Sequence, residues 1–168
     1  MRWFQYGAFC PVMRLHGDRD PHYKPLGSTG GGMVASGADN EIWSSTPEIE
    51  QMMTYYIFLR ESMKNYMKTV MLEAHEKGTP VIKPLFYDTP DDAKSWEVTD
   101  AFLFGHDLLV APVTYANART RTIYLPSGAS WTEYETGTVY EGGQTITVDA
   151  PLTRIPFFIK NNALVFER

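Results

Sequence analysis

Apolar residues along this chain follow two rhythms, and the change between them falls near residue 113. In residues 2–9, Trp3, Phe4, Tyr6 and Phe9 recur at helical spacing, and Pro11, which has no amide hydrogen to donate, would end the helix. Val12-Met13-Arg14-Leu15 then predicts a short buried strand closed by Gly17, with His16 at its carboxyl end. Residues 18–43 read as a loop, with Pro21, Pro25 and a glycine cluster from Gly27 to Gly32. Loops of that length work as lids or binding loops, or are disordered. The cluster is not a phosphate loop, because no Gly-Lys-Ser/Thr follows it.

A long helical pattern begins at Pro47, with Thr46 as the expected cap and Glu48 and Glu50 at the positive end of the helix dipole. Ile49, Met52, Met53, Tyr56, Met63, Tyr66, Met67, Val70, Met71 and Ala74 keep three-and-four spacing, which predicts one buried stripe. The pattern fits one bent helix or two in tandem with a break near Arg60. Gly78 is the expected C-cap, and Pro80 follows. A second strand is expected over Val81–Tyr87. Phe102-Leu103-Phe104 and Leu108–Val113 are apolar runs separated by Gly105-His106-Asp107. From about Thr114 the rhythm becomes that of short strands: Arg121–Leu125, Trp131–Tyr134, Gln144–Val148 and Phe157–Ile159, divided by glycine-rich turns. The fold class expected is α/β followed by all-β, divided into residues 1–112 and 113–168.

Composition narrows the function classes. At 168 residues with 43% hydrophobic residues, the chain has the make-up of a globular protein. A net charge of −5 and scattered Lys and Arg argue against a nucleic-acid or anionic-membrane partner. No apolar stretch approaches the ~20 residues of a membrane span, and the N-terminus lacks a signal-sequence pattern. The single cysteine, Cys10, rules out an internal disulfide and reads as a buried, inert thiol. Ten Tyr, nine Phe and four Trp supply rings that fill cores or stack on sugar faces.

Four stretches, in order, resemble glycoside hydrolase family 31, the retaining α-glucosidases and α-xylosidases. They are the opening run from Arg2 to Gly17; the long helix ending in Gly78-Thr79-Pro80 before a strand; Phe104–Val113; and Tyr124-Leu125-Pro126-Ser127-Gly128 with Trp131 and Ile155–Lys160. The resemblance implies the last units of a (β/α)8 TIM barrel in residues 1–112 and a proximal C-terminal β-sandwich in residues 113–168. Function in such barrels gathers where strands end at the carboxyl face. His16 matches the family histidine that binds sugar hydroxyls, and Arg14 matches an arginine near the catalytic carboxylates. Read without the resemblance, His16 is a structural histidine and Arg14 a barrel ion-pair partner. The Arg14-x-His16-Gly17 form leans towards the α-xylosidase branch.

The family's two catalytic aspartates sit in motifs resembling D-x-x-E and W-x-G-D, and neither motif occurs here. No catalytic residue is therefore assigned, and the chain alone is expected to be inactive. The expected partner is an α-linked oligosaccharide or glycoside. The remainder of a parent polypeptide, or self-association, is expected to cover open barrel edges. Two rival readings remain. His16, Asp18, Asp20 and His22 could ligate a metal, but their interleaving with Gly17, Arg19 and Pro21 is similar to the family's metal-free pattern, so no metal or cofactor is expected. Trp131, Tyr134 and Tyr140 could instead form a non-catalytic carbohydrate-binding surface, a reading that requires exposed rings.

Overall fold

The computed structural model describes residues 1–15 and 41–167. Helix α1 spans Arg2–Ala8, and the amides of Phe9 and Cys10 still reach back to the carbonyls of Tyr6 and Gly7, each at 3.0 Å. The strand expected at Val12–Leu15 does not form. Residues 13–15 adopt no regular structure, and Val12 is 79% exposed. A strand needs a neighbour for its amides and carbonyls, and none lies beside this segment among the described residues. The glycine cluster lies outside the described residues.

The long pattern resolves into two helices, α2 at Pro47–Ser62 and α3 at Lys64–Lys77, broken at Met63. Thr46 does not cap α2 with its side chain. Its hydroxyl goes to Glu48, whose carboxyl is held below its usual value first by its own backbone amide and then by Thr46. Gly78 closes α3 with φ +71° and donates its amide to Ala74 O at 3.0 Å. Met52, Tyr56, Met63 and Val70 are buried, with Met53, Tyr66 and Met67 packed at their margin, so the stripe is core; Met71 lies exposed.

The second expected strand is shorter than its apolar run. Only Ile82–Lys83 (β1) pairs, because Pro84 brings no amide to the ladder and Leu85–Tyr87 coils into a 3-10 turn. Then follow β2 (Phe102–Phe104), β3 (Leu108–Val110), β4 (Thr120–Leu125), β5 (Ser130–Glu133), β6 (Val139–Glu141), β7 (Gln144–Asp149) and β8 (Phe157–Lys160). Strand β6 is one the sequence reading passed over. Among the described residues every pairing is antiparallel, in a six-stranded sheet of order β1-β2-β3-β8-β5-β6 and a two-stranded sheet of β4 with β7. The larger sheet therefore runs across residue 112, which lies in the connection between β3 and β4.

Alternation along these strands sorts their side chains into two cores. Phe104, Leu108, Val110 and Phe157 face the helices and pack with Ala8, Phe9, Met52 and Tyr56. Leu103, Leu109, Phe158 and Trp131 face the other way, onto Ile123, Leu125 and Val148 of the small sheet. The second layer is the β-sandwich that the sequence predicts. Phe9, whose ring centroid lies 4.8 Å from that of Phe157, fastens α1 to the sheet. Burying such a ring stabilises by about 1.5–3 kcal/mol.

The β2–β3 turn is tied to α3. Tyr66 donates its hydroxyl to Phe104 O at 2.9 Å and accepts the Asp107 amide at 3.0 Å. Gly105 sits beneath that hydroxyl with φ +64°, leaving no room for a Cβ.

Candidate functional site

Of the two residues singled out for sugar binding, Arg14 is exposed at the edge of the described segment and His16 lies outside it. The loop group Asp18, Asp20 and His22 also lies outside. Among the described residues, no group of three or more His, Cys, Asp or Glu side chains is arranged to hold a metal ion.

What the structure does define is the scaffold that delivers the chain to Arg14. Arg2 spreads its guanidinium over three carbonyls of the sandwich loops, Arg154 O at 2.6 Å, Ala150 O at 2.7 Å and Ala118 O at 3.2 Å. Buried Gln5 adds Leu152 O at 2.8 Å. At the other end of α1, Arg60 of α2 donates to Ala8 O at 2.8 Å, Cys10 O at 2.7 Å and Pro11 O at 3.0 Å. These carbonyls are left over where α1 stops, and one planar fork satisfies all three. Burial pushes the Cys10 thiol above its usual value, which keeps it protonated and unsuited to nucleophilic attack. Replacing Arg60 by Met should cost about 2 kcal/mol in urea unfolding, since charged donors to carbonyls are worth roughly that much. Arg60→Lys should recover only part of it, and a loss near zero would show that the fork does not hold this segment.

A second polar centre escaped the sequence reading. Lys83 of β1 has no exposed surface and donates to both Asp88 oxygens, at 2.8 and 2.7 Å. Its Nζ also lies 2.9 Å from His106 Nδ1, and His106 Nε2 lies 3.0 Å from Glu73 of α3. His106 Nδ1 also lies 3.0 Å from Asp88 Oδ2, so the imidazole sits among Lys83, Asp88 and Glu73, within hydrogen-bonding distance of each. The His106–Glu73 hydrogen bond is the main cause of the lowered Glu73 carboxyl. The chain thus ties α3, β1 and the β2–β3 turn together electrostatically. One lysine inside the apolar run Val81–Leu85 was the available signal.

The rings proposed for a carbohydrate-binding surface turn inward. Trp131 is buried and donates Nε1–H to Pro126 O at 2.9 Å. Tyr134 stacks on Phe157 with centroids 4.7 Å apart, and Tyr140 meets Phe158 edge-on at 6.3 Å. Trp131 and Tyr140 belong to the packing of the sandwich, and Tyr134 to the core that faces the helices.

Two family models divide the chain between them. Residues 1–70 match the glycosyl hydrolases family 31 TIM-barrel domain, and residues 78–165 match the glycosyl hydrolase family 31 C-terminal domain. The chain belongs to glycosyl hydrolase family 31. The α1–α3 layer is thus part of a TIM barrel, and the antiparallel sheets are the C-terminal domain of this family. Alpha-glucosidase 2 of Bacillus thermoamyloliquefaciens is 34% identical over 98% of this chain, which spans 19% of that protein. Alpha-xylosidase of Saccharolobus solfataricus is 28% identical over 98% of this chain and 20% of its own length. Among solved structures, a family 31 α-xylosidase from a soil metagenome, complexed with xylose, superposes with a TM-score of 0.90 at 45% identity, over 98% of this chain and 25% of that one. A family 31 dextranase of Flavobacterium johnsoniae complexed with isomaltotriose superposes at 0.78 and 36% identity, over 96% of this chain and 18% of that one. The chain therefore spans about a fifth of the length of the curated relatives it matches.

Proposed function

We propose that this chain is the C-terminal part of a retaining α-glycosidase that releases terminal α-linked xylose or glucose. The observation that carries this reading is the match across nearly the whole chain to a family 31 α-xylosidase solved with xylose. In this reading His16 bonds two neighbouring hydroxyls of the sugar, donating to one and accepting from the other. Arg14 lies close to the catalytic carboxylates, where a fixed cation keeps an aspartate ionised. Retention needs two carboxyl groups about 5–5.5 Å apart, and the proposal places both outside this chain. The Arg14-x-His16-Gly17 form favours xylose over glucose. Exposed Trp3, Val12, Phe58 and Leu72 then face the remainder of the parent polypeptide.

The expected result is no turnover of nitrophenyl α-xyloside or α-glucoside by the tag-free 168-residue protein. Turnover abolished by Asp18→Asn or Asp20→Asn would place an acid in this chain and overturn the assignment.

A further inference from the structure

An indole can meet a ligand through its N–H edge or through either face, and Trp96 has committed all but one of these. It closes a 3-10 turn at Ala93–Trp96 and donates Nε1–H to Pro90 O at 2.9 Å. One face lies on Phe86, with centroids 4.1 Å apart and planes inclined by 6°. The side chain is nevertheless 56% exposed, so the second face is the part left open.

The support beneath it is firm. The Asp92 carboxylate accepts the Lys94 amide at 3.2 Å, the Ser127 amide at 2.8 Å and the Tyr124 hydroxyl at 2.8 and 2.7 Å. Thr89 donates to Leu85 O at 2.9 Å and pairs with the buried Ser95 hydroxyl, also at 2.9 Å. The ring is thus held in place by the fold, and a ligand need not order it on binding. Trp3 is more exposed, but its contact with Tyr6 is T-shaped, at 6.0 Å, and lacks the parallel stacking that supports Trp96.

We propose that Trp96 is a surface platform that stacks one pyranose ring of an α-linked glucosyl or xylosyl oligosaccharide, apart from the Arg14–His16 segment. A pyranose presents a flat C–H face to the π-cloud and a rim of hydroxyls around it. Exposed Asp91, Lys94 and Glu97 lie within five residues of Trp96 in the chain and bring charges of both signs to this segment, with the Lys94 ammonium 5.7 Å from the Tyr124 ring centroid. Two carboxylates and one ammonium can hydrogen-bond sugar hydroxyls, and their negative balance gives a phosphate no net attraction. The sugar class rests on the glycosidase reading above; the platform itself rests on the ring geometry.

The test uses the indole N–H signals of the four tryptophans in a nitrogen–proton correlation spectrum of the 168-residue protein, with the Trp96 signal assigned by its loss in Trp96→Phe. Isomaltotriose and methyl α-xyloside should shift the Trp96 signal saturably. Retardation in dextran-containing gels should weaken at least about tenfold in Trp96→Ala and stay within a few-fold in Trp96→Phe, which keeps a flat ring and the fold. An unmoved Trp96 signal, or equal retardation of wild type and Trp96→Ala, overturns the platform. So does a response confined to Trp3, which walls a groove of about 540 Å3 with Arg2, Tyr6, Ile82 and Asp100. His16→Ala separates the two sugar sites. Loss with His16→Ala alone leaves the pocket reading standing without the platform, and loss with Trp96→Ala alone does the reverse.

Discussion

Replacing Asp88 by Asn should destabilise the protein by about 3–5 kcal/mol, the cost of stranding a buried charge. Lys83 has no exposed surface, and both Asp88 oxygens hold its ammonium within 2.8 Å. The substituted amide keeps an acceptor but removes the negative charge that faces the ammonium at 2.7 Å. The reverse truncation, Lys83→Met, should cost less, because Asp88 is partly exposed and water can solvate it. The double variant Lys83→Met/Asp88→Asn should be milder than Asp88→Asn alone, since it leaves no buried ion. Urea midpoints at unchanged slope would measure this, and a loss below about 1 kcal/mol in Asp88→Asn would show that the pair does not hold β1 in place.

Gly105→Ala should cost about 3 kcal/mol, from two sources acting together. The backbone at φ +64° disfavours any side chain, and the new methyl would collide with the Tyr66 hydroxyl and with Val70. Both residues are on α3, so the strain falls on the junction between helices and sheet. Adding Tyr66→Phe removes the nearest obstacle, so the double variant should lose less than the two single losses summed. Strict additivity in thermal or urea unfolding would mean that the turn moves away from α3 instead.

Elements with local causes were legible. Helix α1, the paired helices and their αL glycine at residue 78, and four of the five strands after residue 113 follow from spacing and turn residues. Failures came where a neighbour decides. Val12–Leu15 carries strand-like residues, but without an adjacent ladder its backbone stays irregular. Val81–Tyr87 has the apolar run of a strand, yet Pro84 cuts it after two paired residues. Thr46 had the right identity for a cap and gave its hydroxyl to Glu48. For the site, the motif around Arg14 and His16 was visible in sequence, whereas the Lys83–Asp88–His106–Glu73 chain draws on residues up to 33 apart. Trp131 attracted notice as a ring and proved to be core. Trp96 was passed over, because which face of a ring is covered is a tertiary fact.

The order of the large sheet has a consequence for how the chain comes off the ribosome. Strands β1 to β3 form one half and β5 with β6 the other, and among the described residues no pairing joins the halves except through β8. Phe157–Lys160 follows every other strand of this sheet in the sequence, so the sheet stays in two pieces until that stretch has been made. Until then, the partners of Leu108–Val110 and of Trp131–Glu133 on that side are missing. Both cores therefore wait on the same four residues, whose side chains serve the two faces.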